Sequence, residues 1–224
     1  MKTTSTDHDT HPESGSLERY HRWYYDSRVW ETVRFLGVPC LKSVSDMWNY
    51  QEVIAELKPA LIIEFGTRYG GSALYFAAIA RLVNPQARVL TVDVDAGLID
   101  PRLHAEPAIE FLQASSTDPA VAARITALRE SLPGPVFAIL DSDHAKQHVL
   151  AEMLALRPLL VPGDYLIVED GNINGHPVLP GWGEGPYEAI AEYSQRHPGD
   201  YRADLARERK FGFSFAPCGY LIRQ

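Results

Sequence analysis

Two short apolar runs in this chain each end in acid. VFAIL (residues 136–140) leads into Asp141, Ser142, Asp143 and His144, and YLIV (residues 165–168) leads into Glu169 and Asp170. Apolar runs of this length, separated by an amphipathic segment, predict neighbouring parallel strands joined by a crossover helix. In such a sheet the C-terminal strand ends share one edge, where ligands bind. Up to four carboxylates and an imidazole therefore converge on one rim. Like charges that close cannot all ionise without a cation among them. All-oxygen carboxylate ligation suits a hard divalent ion, Mg²⁺ being the commonest that keeps positions open for substrate. Asp143 competes with Asp141 for one ligand position. Plainer duties are open to the same residues: Asp141 and Asp170 as helix caps, His144 as a first-turn helix residue. His144 and His148, four apart, also form a possible zinc pair, which the surrounding oxygen donors disfavour.

A second constellation lies upstream. An apolar run over residues 60–65 ends in Glu64-Phe65-Gly66-Thr67-Arg68-Tyr69-Gly70-Gly71-Ser72, and a helical pattern follows. Glycine at 66 and 70 lets the backbone turn tightly and approach a ligand, while the helix N-terminus offers N–H groups. The spacing is not G-x-G-x-x-G, so a dinucleotide pyrophosphate site is not indicated. The next run, residues 89–93, ends in Asp93, where a carboxylate can accept both ribose hydroxyls. A glycine turn plus an acidic strand end fits any ribose-bearing cofactor, including NAD, S-adenosylmethionine (SAM) and nucleotides. The turn can also serve only to pack a helix on a strand. Walker, G-x-S-x-G and H-E-x-x-H patterns do not occur, which disfavours ATP, serine-hydrolase and zinc-protease plans.

The scaffold that must position these groups reads as strand–helix alternation. An aromatic-rich helix is expected over residues 17–36, carrying Tyr20, Trp23, Tyr24, Trp30 and Val33, with Gly37-Val38-Pro39 as its stop. A second helix starts near Ser45, with Ser45 or Asp46 as N-cap, and ends at Lys58-Pro59. Strands follow at 60–65, 89–93, 109–114 (weaker), 136–140 and 165–168, with helices at 72–82, 119–131 and 145–157. After a Gly/Pro-rich loop (171–185) come a helix at 186–196 and an antiparallel hairpin of 211–215 with 219–222, turned at Ala216-Pro217-Cys218. This pattern predicts an α/β fold, a doubly wound Rossmann-like mixed sheet with N-terminal helices and a C-terminal antiparallel hairpin.

Composition bounds the rest. The 224 residues, 46% of them hydrophobic, suit one α/β unit. We divide it into a disordered tail (1–16), a helical cap (17–58) and a Rossmann-like core (59–224). The net charge of −8 argues against a nucleic-acid surface. Cys40 and Cys218 give no disulfide framework, no apolar run is long enough for a membrane span, and the polar N-terminus lacks a signal-peptide core. The expectation is a soluble, cytoplasmic protein with neither nucleic-acid nor membrane partner.

These segments together carry a resemblance. Glu64-x-Gly66-x-x-x-Gly70-x-Ser72, with Asp141-x-x-His144 and Glu169-Asp170, is similar to the class I SAM-dependent O-methyltransferases that use a divalent metal, catechol O-methyltransferase among them. WNYQEVIAELKPALIIEFGTRYGGSALYFA, ILDSDH and YLIVEDGNINGHPVLPGWGEGPYEAI more closely resemble the cephalosporin-hydroxylase-like family. Its relatives include rhamnosyl and macrolide-sugar O-methyltransferases of natural-product pathways. The resemblance runs from about Tyr24 to the C-terminus. It implies that Gly66 and Ser72 hold the methionine end of SAM, with Thr67 and Gly70 in the same turn and Glu64 supporting it. Asp93 takes the ribose hydroxyls, and Ser115 and Ser116 sit at the adenine edge. Asp141, Glu169 and Asp170 bind Mg²⁺, with Asp141 also facing cofactor and reaction, and His144 is the general base. The catechol enzyme has Lys where this chain has His144, and Asp-Asn where it has Glu169-Asp170. The second change adds negative charge to the metal site.

The implied activity is SAM- and Mg²⁺-dependent O-methylation of a small hydroxylated acceptor in antibiotic or other secondary metabolism. A sugar is the first acceptor to expect and a phenol or catechol the second. A metal-dependent hydroxylase is a weaker alternative, since no 2-His-1-carboxylate set is evident. A non-catalytic partner-binding protein of the same fold has no use for an intact metal triad. The chemistry fits the residues: a neutral hydroxyl is a poor nucleophile, metal coordination lowers its pKa, and an imidazole of pKa about 6.5 takes the proton near neutrality. His176 and Trp182, in the loop after the acidic pair, are further candidates to touch substrate. Lys42, Trp48, Tyr50 and Gln51 precede the first strand, where such folds close over the cofactor. The aromatic N-terminal helix is expected to pack, to form a lid or to join a homo-oligomer.

Overall fold

Leu61, Ile62, Ile63, Glu64 and Phe65 are all buried, the mark of a strand in mid-sheet with both faces covered. The computed structural model describes residues 14–224. In order these form α1 (Ser14–Asp26), a 3-10 turn (Val29–Thr32), β1 (Arg34–Phe35), β2 (Val38–Pro39), α2 (Val44–Leu57), β3 (Leu61–Phe65), α3 (Gly71–Val83) and β4 (Arg88–Asp93). There follow α4 (Pro101–Ala105), β5 (Ile109–Gln113), α5 (Pro119–Ser131), β6 (Val136–Leu140), α6 (Lys146–Leu156), β7 (Tyr165–Val168), α7 (Pro186–Arg196), β8 (Tyr201–Ala203), α8 (Leu205–Glu208) and β9 (Tyr220–Arg223). Among the described residues the main sheet has seven strands in the order β5-β4-β3-β6-β7-β9-β8. The first five are mutually parallel, and β9 runs antiparallel to both β7 and β8. This is the doubly wound mixed sheet expected.

The period of two along each strand divides the core. Leu61, Ile63, Phe65, Val136, Ala138 and Leu140 meet α5, α6 and α7 through Val121, Ile125, Val149, Met153, Leu156, Ile190 and Tyr193. Ile62, Phe137, Ile139 and Ile167 face the other way, onto Tyr50, Val53 and Ile54 of α2 and Ala73, Phe76 and Ala77 of α3. Each Val, Leu, Ile, Phe or Met among them, once removed from water, contributes about 1.5–3 kcal/mol. Local chemistry sets the helix starts. Ser43 caps α2, accepting from the Asp46 N–H, while Asp118 caps α5 just ahead of Pro119 at its first position.

The two ends of the chain depart from the pattern. Helix α1 stops at Asp26 instead of continuing to residue 36: Arg28 turns left-handed (φ 56°), and the chain runs into the 3-10 turn and the β1–β2 ladder. The cause is tertiary. Trp30 folds back onto Tyr25 and Phe215, which a continuous helix would prevent. The C-terminal antiparallel pairing is present, but β9 pairs with β8 and not with residues 211–215. That segment stays out of the sheet because Phe213 and Phe215 seat the rings of His21, Tyr24 and Tyr25 from α1. Its backbone is held by side chains: the Phe215 N–H donates to Asp46 Oδ2 and the Ala216 N–H to Ser214 Oγ. The tail expected to be disordered lies outside the described residues up to 13, and residues 14–16 open α1. No helix among the described residues is long and apolar enough to cross a membrane.

Candidate active site

Register brings the acids together. Phe65 pairs with Leu140 and Leu140 with Val168, so Gly66, Asp141 and Glu169 each emerge one residue beyond the same edge. The Asp141 N–H donates to the Phe65 carbonyl and the Glu169 N–H to the Leu140 carbonyl, extending the ladder one step. A Cβ on Gly66 would lie 2.0 Å from the Asp141 carbonyl oxygen, and its φ is 99°. The glycine is needed because the neighbouring strand end passes against it. Gly70 (φ 85°) begins the turn of α3, and a Cβ there would strike the Leu103 side chain.

At the rim, single ligand atoms of Asp141, His144 and Asp170 lie within 4.8 Å of one another, the one such group among the described residues. His144 Nε2 is 3.3 Å from Asp170 Oδ2. Asp170 has φ 55°, a left-handed conformation that aspartate tolerates better than most non-glycine residues. Asp143 is exposed and accepts from the Ala145 N–H, so of the two aspartates Asp141 is the one beside His144 and Asp170. Glu169 stands behind this group. Its Oε1 accepts from Lys42 Nζ (3.0 Å) and from the Tyr50 hydroxyl (2.8 Å), and the same ammonium donates to Asp141 Oδ2 at 2.6 Å. Lys42, Tyr50 and Glu169 are all buried.

The electrostatics follow from crowding three carboxylates, one buried and two half-buried, on one edge. Burial pushes Glu169 up to about 8 and Asp170 up to about 6; Lys42 opposes the first shift and His144 the second, while Asp141 adds to both. Burial works against the charge on Lys42 and on His144, yet the surrounding carboxylates hold both above their ordinary values. The site is thus short of positive charge. Two or three carboxylates beside an open cavity are a donor set that fits a hard divalent cation.

Two cavities meet at this rim. The first, about 340 Å³, is lined by Gly66, Asp93, Ser115, Ser116, Asp141 and His148, among others, a size and mix of groups suited to a small-molecule ligand. Asp93 ends β4 and accepts from the Arg68 and Asp95 N–H groups. Ser116 Oγ is 2.9 Å from His148 Nε2, and Ser142 Oγ donates to buried Glu152 at 2.5 Å. Ser115 Oγ contacts Thr117 Oγ1. Beneath the glycine turn, Thr67 donates to Thr91, which donates to Glu64 Oε2. Glu64 Oε1 is buried with no hydrogen-bond partner among the described residues, and burial pushes this carboxyl up to about 7. Ser72, buried in the first turn of α3, borders a small pocket shared with Lys42, Gly66 and Asp141.

The second cavity, about 400 Å³, lies on the other side of Gly66 and Asp141, and His144 and Asp170 open into it. Its wall is aromatic: Tyr25, Trp30, Trp182 and Phe215. Of the earlier candidates, Trp182 therefore borders the site. His176 instead stacks on Tyr187 and bonds Glu188, and Trp48 is exposed with its indole N–H on Glu52. The roles of Glu152, Tyr25 and Trp30 were not legible in the sequence, since no motif marks them.

The chain also matches known proteins. The family model Rhamnosyl O-methyltransferase/CmcI covers residues 27–224. The chain is 58% identical over 212 residues to the Rhamnosyl O-methyltransferase of Mycobacterium tuberculosis (strain H37Rv), covering 95% of this chain and 86% of that one. It is 54% identical over 213 residues to that of Mycobacterium leprae, with 95% and 93% covered. Among solved structures, CmcI with Mg and SAM superposes with a TM-score of 0.67 at 22% identity, over 87% of this chain and 77% of that one. An O-methyltransferase from Bacillus cereus gives 0.53 at 14% identity, over 96% and 94%. The two solved structures share the fold. On the family match and the mycobacterial relatives, the chain belongs to the Rhamnosyl O-methyltransferase/CmcI family.

Proposed function

We propose that this enzyme transfers a methyl group from SAM to a hydroxyl of a glycosyl unit, rhamnosyl in the first instance, with Mg²⁺ at the carboxylate rim. The observation that carries this reading is that the two cavities share Gly66, Arg68, Asp141 and Ser142. One is furnished for a nucleoside and the other opens on acids and aromatic rings, so two substrates meet at Asp141. The family relatives named for rhamnosyl methylation support the acceptor class.

Asp93 would hold the ribose, Ser115 and Ser116 the base, and Gly66, Thr67, Gly70 and Ser72 the turn around the methionine end, with the open oxygen of Glu64 below. Asp141, Glu169 and Asp170 supply the oxygen ligands that Mg²⁺ prefers, Glu169 from behind while Lys42 and Tyr50 hold its Oε1. Bound there, Mg²⁺ would lower the acceptor hydroxyl's pKa and fix its position. His144 takes the hydroxyl proton; the acceptor oxygen bonds to the methyl carbon as the carbon–sulfur bond breaks and a neutral thioether leaves. Holding the two reactants in line is worth about 7–11 kcal/mol.

The same reading extends to residues 17–224 as one catalytic unit in secondary metabolism. Free Cys40 and Cys218 suit a reducing cytoplasm, and exposed Tyr20 and Trp23 on α1 suit a homo-oligomer contact. The test is calorimetric titration of SAM and of Mg²⁺ into wild type and Asp170→Ala, followed by transfer of labelled methyl to a rhamnoside and to catechol. SAM binding with a Mg²⁺ site that Asp170→Ala weakens by about a hundredfold or more is expected, with turnover on the rhamnoside. No SAM binding under any condition would sink the reading.

A further inference from the structure

The aromatic wall of the second cavity is built from three separate parts of the chain. Tyr25 closes α1, Trp30 sits in the 3-10 turn after it, Phe215 precedes β9 and Trp182 comes from the loop after β7. Trp30 is held rigidly. Its indole N–H donates to the Tyr25 carbonyl at 3.1 Å, its ring lies 5.7 Å from that of Tyr25, and it meets Phe215 edge-on at 6.1 Å. This packing is also what breaks the N-terminal helix at Arg28, so the fold gives up helical continuity in order to bring Trp30 inward. Trp182 is held differently. It is 55% exposed and lies between Gly181 and Gly183, both at positive φ with open space where a side chain would be. It borders the cavity without the ring contacts that fix Trp30.

We infer that Trp30 is the fixed stacking platform for the acceptor's sugar ring and that Trp182 is the adjustable one, so that these two tryptophans select a glycosyl acceptor. This rests on the glycosyl reading above and deepens it. The C–H face of a pyranose stacks on indole, which buries apolar area while leaving the ring hydroxyls free. Those hydroxyls then reach Asp141, His144 and Asp170 on the same cavity, with Glu31 and Arg68 also on its lining. A cavity of about 400 Å³ is within the range of drug-sized sites, which leaves room for a sugar and the first atoms of its aglycone. Trp182, being exposed, is the residue that meets the aglycone side.

The test uses the full chain with S-adenosylhomocysteine and Mg²⁺ present. Methyl rhamnoside is titrated against intrinsic tryptophan fluorescence, and steady-state kinetics are run with SAM, in wild type, Trp30→Ala, Trp30→Phe and Trp182→Ala. A saturable fluorescence change is expected in wild type. KM for the rhamnoside rises about tenfold or more in Trp30→Ala and several-fold in Trp182→Ala, while kcat changes by less than about threefold and SAM affinity is unchanged. Trp30→Phe, which keeps a ring against Tyr25 and Phe215, recovers much of the KM and shows that the chain still folds. An unchanged KM in both alanine variants overturns the inference while leaving glycosyl methylation in place. Wild type that binds SAM but neither binds nor methylates any glycoside overturns both. Tryptophan variants that lose catechol and not rhamnoside overturn the sugar assignment.

Discussion

Lys42 Nζ donates to Asp141 Oδ2 across 2.6 Å, with the lysine side chain only 2% exposed. The pair joins the segment before α2 to the end of β6. Because the same ammonium also bonds Glu169, one positive charge ties together two acids from neighbouring strand ends. Lys42 acts as an internal counter-ion for a rim that carries more carboxylates than it can neutralise.

Replacing Lys42 with Met leaves Asp141 and Glu169 side by side without that charge. Loss of one partner from a buried ion pair typically costs about 3–5 kcal/mol. We expect Lys42→Met to melt well below wild type in metal-free buffer and to recover part of the difference when Mg²⁺ is added, because a divalent ion can neutralise the same carboxylates. Differential scanning calorimetry with and without Mg²⁺ checks this. Equal melting of the two proteins in metal-free buffer would show that Lys42 is not the counter-ion.

His144 Nε2 faces Asp170 at 3.3 Å, and the acids around it hold its pKa above the ordinary imidazole value. In the proposed role of proton acceptor it must be neutral, so kcat falls as pH drops through the imidazole's pKa in the Mg²⁺-loaded enzyme. His144→Gln keeps a polar side chain but removes the base. It should lower kcat by about 10²–10⁴-fold and flatten the acidic limb of the pH–rate profile, with SAM affinity retained. A profile whose acidic limb persists in the variant would assign the proton to another group.

Glu64 gives a stability prediction with a definite sign. Burial raises its carboxyl to about 7 in the folded chain, against about 4.3 for an ordinary glutamate. Between those values the folded state holds the proton more tightly than the unfolded state. Stability therefore falls as pH rises through this window, and the full cost, up to about 3 kcal/mol, is present above about 7. In SAM-free protein, Glu64→Gln should gain on wild type in melting temperature from pH 5 to pH 8. A difference between the two proteins that does not change with pH would show that Glu64 does not titrate there.

Much of the site could be read from sequence because strands announce themselves locally. VFAIL and YLIV are apolar on both faces, as strands buried between helix layers must be, and the residues just past them are acidic. Parallel register then leaves little freedom, so Asp141, Glu169 and Asp170 had to share an edge. The helix expected at 119–131 is α5, and the structure shows Asp118 as its cap with Pro119 at its first position. The segment at 211–215 misled for an equally physical reason. Its alternating phenylalanines carry the strand period, but the rings of Phe213 and Phe215 are seated against α1 and not in the sheet. Likewise, no glycine or proline marks the end of α1 at Asp26, since the break comes from Trp30 packing on Tyr25 and Phe215.

Sequence alone determined which strand ends carry acid, that a glycine turn faces an acidic strand end, and the family to which those segments are similar. All of that depends on residues close together in the chain, through hydrogen-bonded register and periodic burial. The tertiary structure decided which acid faces what. Lys42 reaches Asp141 over a separation of 99 residues and Glu169 over 127. Trp30 and Trp182 come to border one cavity from elements far apart in sequence. Such pairings are fixed by how layers pack and where charge can be buried, and a single sequence carries no local mark of either.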